Sequence, residues 1–186
     1  MFIVSKKRGF TLIELLVVIS IIGILSGIVI TGLDKARQGG RDARRIADIK
    51  NIQLALQLYY TDQTIPQYPT SLTTLVPVYI SVLPKDPNVS GSCTSGSEAS
   101  CYKYNAYRSG AGACNASNVP VTYHLGALLE SAGNSALIDD IDATFTGGLC
   151  TGGNPSGGFS GLSANCSSTA GTAQPGGTEQ CYSQTP

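Results

Sequence analysis

From Phe10 to Ile30 the chain runs for 21 residues without Lys, Arg, Asp, Asn, Gln or Pro, and one acid, Glu14, interrupts the apolar run. As an α-helix this segment spans roughly 32 Å, about one bilayer core. Lys6, Lys7 and Arg8 precede it, separated from Phe10 by Gly9. Such a segment must be buried in lipid or against other helices, so it constrains the rest of the fold. A carboxylate inside a membrane helix costs about 2.5 to 3.5 kcal/mol at the centre and less near an end, so Glu14 needs a partner.

Cleavage after Gly9 supplies one. It leaves an α-amino group on Phe10, one helical turn from position 14, at a helix N-terminus that itself favours negative charge. The amine of a neighbouring copy serves equally well, and the cost of leaving Glu14 unpaired in lipid then selects the stagger between copies. A secretory signal peptide has a shorter apolar core, about 7 to 15 residues, ending at a small-residue cleavage site. A lipoprotein or plain signal anchor has no need of Gly9 before Phe10 or of an acid at Glu14.

Gly9-Phe10-Thr11-Leu12-Ile13-Glu14, with Gly23 farther along the apolar run, resembles the processing site and anchor helix of type IV prepilins and of the pseudopilins of type II secretion systems. The similarity is close over residues 6–30 and looser to Pro87. Leu75-Val76-Pro77 and Leu83-Pro84-Lys85-Asp86-Pro87 are similar to the region after the long helix in major pseudopilins, the subtype they favour. The resemblance implies a membrane-embedded prepilin peptidase that cuts between Gly9 and Phe10 and methylates the new amine, followed by packing of anchor helices into a filament core. These helices usually carry a proline about where Thr31 stands; here Thr31-Gly32 follows the apolar run.

Orientation is expected from the cysteines more than from charge. Lys6, Lys7 and Arg8 argue for a cytoplasmic start, but Lys35, Arg37, Arg41, Arg44 and Arg45 follow the segment and weigh against it. Cys93, Cys101, Cys114, Cys150, Cys166 and Cys181 all lie in the C-terminal half. An even number among Gly- and Ser-rich loops suits disulfides in an oxidising compartment, outside the cytoplasm. With no Cys-x-x-Cys pair and one His, a zinc site is not indicated. Removing Lys6, Lys7 and Arg8 from the 12 basic residues leaves 9 against 12 acidic, net −3, so bulk attraction to nucleic acid is not indicated either.

Ala43, Ile46, Ala47, Ile49, Ile52, Leu56 and Tyr59 recur at three- and four-residue steps, predicting an apolar stripe on a helix that runs to about Tyr60. Arg44 and Asp48 are spaced to pair on its wet face. Gly39-Gly40 is the expected site of a bend or short unwinding, at about 1 kcal/mol per glycine relative to alanine. The basic cluster Arg37, Arg41, Arg44 and Arg45 reads either as a binder of lipid headgroups or of acids on neighbouring subunits, or as a solvated helix face.

Beyond Pro66 and Pro69, Ser71 is a cap for a short helix ending before Pro77. Cys101 to Tyr107 and Val119 to Leu125 read as antiparallel strands across a Gly/Ala/Asn-rich loop, with a third strand or turn near Ala143 to Thr146. Asp139, Asp140 and Asp142, with Glu130 upstream, form an acidic cluster. Closely spaced oxygen ligands in a loop suit calcium, and the resemblance implies a calcium site in the corresponding loop; against it, the cluster matches no EF-hand pattern and reads first as a solvated acidic turn.

From Thr146 onward Gly, Ser, Thr and Asn dominate, with Glu179 the one charged residue. Such a stretch cannot offset its ordering entropy unless cysteines tie it down. Six cysteines allow 15 pairings. Sequence does not choose among them, and Cys93 with Cys101, Cys166 with Cys181 and Cys114 with Cys150 is the simplest set. Enzyme signatures are absent: there is no nucleophile elbow, phosphate loop or paired histidine, and His124 stands in a strand.

The expected fold class is α+β: a long N-terminal helix, membrane anchor then amphipathic stalk, under a small antiparallel sheet with a disulfide-tied C-terminal region. The expected segments are a leader (1–9), an anchor (10–32), a stalk (33–61), a head (62–146) and a tail (147–186). The resemblance implies a non-enzymatic filament subunit in a pilus or secretion pseudopilus, with its N-terminus cytoplasmic, its head outside the inner membrane, and no certain cofactor. Its partners are then prepilin peptidase, like subunits, an inner-membrane assembly platform and lipid. The alternative is a minor pilin that acts as an adhesion or DNA-uptake module.

Overall fold

The computed structural model describes residues 9–90, 102–110, 112–141, 145, 148–150, 159, 161, 166 and 180–186, with backbone alone at 28–31. Helix α1 spans Leu12–Asp62, and strands β1 (Lys103–Tyr107), β2 (Thr122–Leu128) and β3 (Cys181–Gln184) form an antiparallel sheet in the order β1-β2-β3. The chain divides into two compact units, Met1–Gln38 and Gly39–Pro186. The α+β class expected from sequence is the one found.

In the second unit, Ile49, Ile52, Ala55 and Leu56 of α1 are buried with Leu72, Leu75, Tyr104, Leu125, Ala127 and Tyr182. The strand period of two explains the selection from the sheet. Tyr104 and Ala106 of β1 stand opposite Leu125 and Tyr123 of β2, and Ala127 opposite Tyr182 of β3, so these residues of one sheet face join the core. Tyr60 stacks on Tyr68 at 4.6 Å and Tyr68 meets Tyr123 edge-on at 4.8 Å, continuing the core toward the end of α1. Ser71 caps a 3₁₀ turn at Leu72–Leu75, accepting from the Thr73 amide.

The expected stripe is correct at Ile46 and from Ile49 onward and wrong at Ala43 and Ala47. Ala43 and Ala47 are exposed, and Asp42 and Arg45 are the buried residues of those turns. Helical assignment continues through Gly39-Gly40, so the expected unwinding is not found; the pair instead marks the division between the two units. Ties made by Arg41, Asp42 and Arg45 in the next turns offset the glycines' weak propensity.

β2 lies three residues beyond the expected Val119 to Leu125 because Pro120 has no amide for the ladder. Pro120 uses its carbonyl to accept from Tyr68. The expected strand or turn at 143–146 falls, apart from Phe145, outside the described residues. The third strand of the described sheet comes from the C-terminal stretch, as Leu125↔Gln184 through Leu128↔Cys181. Disulfides join Cys114 to Cys150 and Cys166 to Cys181, as expected. Cys93 and Cys101 lie outside the described residues.

A candidate assembly helix and a buried arginine cluster

The first functional element is the start of α1. Thr11 precedes the first helical residue, and its side-chain oxygen faces the Glu14 amide at 3.3 Å. The Glu14 carboxylate reaches back to the Thr11 amide at 2.9 Å and hydroxyl at 2.7 Å. This is a capping box, which satisfies helix donors reciprocally. In the chain with its leader, Glu14 therefore already has local donors. Thr-x-x-Glu was legible in the sequence, but reading Glu14 only as partner of a Phe10 amine passed over it.

From Phe10 to Gly27 the side chains are exposed, Phe10 at 85% and Leu12 at 81%. By length and composition α1 contains a stretch able to cross a membrane, with none of that stretch buried inside the chain. Ser20 turns its hydroxyl back to the Leu16 carbonyl. A Cβ built on Gly23 or Gly27 meets nothing within 4 Å, so these positions leave a second helix room for close approach.

The second element lies where α1 enters the other unit. Arg45 is almost wholly buried and forks onto Asp86 through Nε at 2.7 Å and Nη2 at 2.9 Å, while Nη1 donates to Asp42 and Glu130, each at 2.8 Å. Arg41 makes a second fork onto Glu130, and the Asn88 amide side chain donates to the same carboxylate. Asp42 in turn accepts from the backbone amides of Glu130 and Ser131. Bidentate, charge-assisted pairs of this kind are the strong class of protein hydrogen bond.

Electrostatics follow the geometry. The Arg41 bond, aided by Arg45 and Asn88, overcomes desolvation and holds the Glu130 carboxyl at about 2. Burial pushes Asp86 up, but Arg45 and the Asn88 amide outweigh it and leave Asp86 below its ordinary value. Burial likewise works against the Arg45 charge, and its carboxylate partners more than restore it.

These contacts correct the reading of the basic cluster. Arg41 and Arg45 are engaged inside the chain, leaving Arg37 exposed and Arg44 paired with Asp48 at 3.9 Å. Asp48 also accepts from the Tyr102 hydroxyl at 2.7 Å. No local pattern announces the network, because Asp86 and Glu130 stand 41 and 85 residues from Arg45.

The acidic group read for calcium is described only in part. Glu130 is held by arginines, Asp140 accepts from the Ser183 amide at 2.9 Å, and Asp142 lies outside the described residues. Among the described residues no three His, Cys, Asp or Glu side chains converge on a metal position. The calcium expectation includes Asp142, outside the described residues, and no step is assigned to calcium.

His124 lies opposite Asn105 across β1 and β2 on the sheet face away from the α1 core, stacked on Phe159 at 3.9 Å. Among the described residues the side chains of Asn105 and His124 find no hydrogen-bond partner. Burial pushes the His124 imidazole down to about 4, although the nearby Phe159 backbone favours the charged form.

A family model, the prokaryotic N-terminal methylation motif, matches residues 4–30. The type II secretion system core protein G of Escherichia coli K12 is 34% identical over 100 residues, covering 45% of this chain and 68% of that protein. Its counterpart in Vibrio cholerae is 34% identical over 98 residues, 44% of this chain and 66% of the relative. That of Klebsiella michiganensis is 37% identical over 67 residues, 36% and 46% respectively. No solved structure matches. The methylation motif, the exposed apolar helix and the extent of these similarities together show that the chain belongs to the type II secretion system core protein G family, the major pseudopilins.

Proposed function

We propose that this protein is a structural subunit of a type II secretion pseudopilus or a related pilus. Prepilin peptidase removes the leader after Gly9 and methylates Phe10, and the processed chain polymerises through the apolar part of α1. Before assembly the chain spans the inner membrane once, with its N-terminus cytoplasmic and its head outside. Like subunits and an inner-membrane platform are its partners. No catalytic role is assigned.

The observation that carries the reading is the exposure of α1 from Phe10 to Gly27, an apolar surface left open among the described residues. Lipid covers it first and neighbouring helices afterwards, an exchange in which small residues at Ser20, Gly23, Ser26 and Gly27 permit close packing. On cleavage Phe10 gains an amine next to Thr11. Glu14 then has a choice between its capping contacts and the amine of a neighbouring copy, which sets the stagger.

Intact mass and N-terminal sequence of the membrane-extracted protein, expressed with and without a prepilin peptidase, test this. The expected product is a peptidase-dependent chain beginning at N-methylated Phe10. A chain that begins at Met1 under both conditions, with the peptidase active on a control, overturns the reading.

A further inference from the structure

The sheet is covered on both sides, and α1 packs on one of them. On the other, the strand period of two places Asn105 and Tyr107 of β1, His124 and Gly126 of β2, and Cys181 and Ser183 of β3. Phe159 lies over this second face. Its ring stacks on His124 at 3.9 Å with the ring planes 8° apart, and a Cβ built on Gly126 would stand 2.7 Å from the same ring. Glycine at 126 is what lets Phe159 lie flat on β2. Phe145 stacks on Tyr107 at 4.6 Å and is tilted against His124 at 5.1 Å. Phe159 clusters with buried Cys166 and Cys181, which are bonded to each other.

The polar groups of this face fare unequally. Ser183 is satisfied, its hydroxyl donating to the Ile141 carbonyl and its amide to Asp140. Asn105 and His124, neighbours across β1 and β2, are each 0% exposed. Yet among the described residues neither carboxamide atom of Asn105 and neither ring nitrogen of His124 has a hydrogen-bond partner.

The charged and titratable groups around His124 do not supply a counter-ion. β1 contributes Lys103, a cation, and Tyr107, whose hydroxyl is kept neutral by burial that pushes it up to about 12. On the β3 side stands Asp140, tied to the Ser183 amide, and Phe145 and Phe159 bring no charge. Burial accordingly pushes the imidazole down to about 4, with the Phe159 backbone acting the other way. A proton bound there is a buried charge without a partner, and the site relieves it by admitting water.

We propose that His124 is an acid-operated release for this face: protonation lifts Phe159 from β2 and opens Asn105, His124 and Gly126 to water, while the face packed on α1 stays closed. The proton comes from solvent, and no covalent bond is made or broken. At neutral pH the head hides the histidine; in acid it presents His124 and Asn105 together as free hydrogen-bonding groups. The two faces can behave separately because the core on α1 buries Tyr104 and Leu125, whereas Phe159 belongs to a cluster of its own. The release is a property of the single chain and is independent of polymerisation.

His124 is the one histidine in the chain, so imidazole signals from the detergent-solubilised full chain, made with isotope-labelled histidine, report on this site alone. With the closed imidazole at about 4 and the open one at 6.5, the ratio of open to closed chains should rise about 20-fold from pH 7 to pH 5. Saturation-transfer NMR is expected to show at pH 5 a second imidazole signal that titrates near 6.5 and lacks contacts with the Phe159 ring. The Tyr68–Tyr123 ring contact, on the α1 side, is expected to persist. Gly126→Ala displaces Phe159 without altering the histidine, and should give the open signal already at pH 7. His124→Phe should keep its Phe159 ring signals unchanged between pH 7 and pH 5. An intact Tyr68–Tyr123 contact shows that both variants are folded. A single imidazole signal that keeps its Phe159 contacts at pH 5, loss of the Tyr68–Tyr123 contact together with them, or acid opening that persists in His124→Phe overturns the release.

Discussion

Arg45 holds three carboxylates, Asp42, Asp86 and Glu130. Removing one member of a buried ion cluster leaves the others desolvated without a partner, so Arg45→Met is expected to cost about 3 to 5 kcal/mol. The urea midpoint of the detergent-solubilised chain measures it. Arg44→Met, at a side chain 66% exposed, is expected to change the midpoint by about 0 to 1 kcal/mol. Acid acts on two groups in sequence. The folded state holds His124 neutral, pushed down to about 4 from 6.5, so stability is full above pH 6.5 and falls as pH drops toward 4. Glu130 is held at about 2, so its share is full above pH 4.5 and is lost as pH falls toward 2. Urea midpoints at pH 7, 5 and 3 should therefore fall in two stages, and His124→Phe should flatten the first. Thr11 and Glu14 could be paired from their spacing alone, because a capping box is local. Arg45 could not, since its burial is produced by carboxylates that are distant in sequence.

At the scale of elements, the C-terminal stretch illustrates how little composition says about a segment that is covalently tied. Its Gly, Ser and Thr content offers few apolar groups, yet it delivers β3, whose Tyr182 enters the core. The Cys166–Cys181 bond closes a 15-residue separation, for which chain entropy gives about 3 kcal/mol. Cys166→Ser with Cys181→Ser is expected to lower stability by about that amount, read from the urea midpoint. Phe159 approaches the sheet at Gly126, where a built Cβ would stand 2.7 Å from its ring. The Cys114–Cys150 and Cys166–Cys181 bonds agree with two pairs of the simplest arrangement. Strand β3 was hidden because its four residues, Cys181–Gln184, carry no alternating apolar pattern that distinguishes them from a tail.

For the whole molecule, the separation into Met1–Gln38 and Gly39–Pro186 parallels a division of labour. The first unit offers apolar surface for lipid or neighbouring helices, and the second has a core of its own. Substitutions at Glu14 are therefore expected to leave the urea midpoint of the second unit unchanged while altering assembly. Glu14→Val should still insert and lose its leader, yet yield little pelletable filament, because no charge then selects the stagger; electron microscopy of sheared material checks it. The sequence by itself determined the apolar start of α1, its acid, the methylation motif that includes Gly9 and Phe10, the stalk stripe at Ile46 and from Ile49 onward, and the α+β class. These are legible because apolar length, helical period and short motifs are local properties of the chain. Only the tertiary structure decided the burial of Asp42 and Arg45 in place of Ala43 and Ala47, the start of β2 beyond Pro120, and the recruitment of Cys181–Gln184 into the sheet. Each depends on partners far apart in sequence, and desolvation and hydrogen-bond satisfaction act only once folding has brought those partners within a few ångströms.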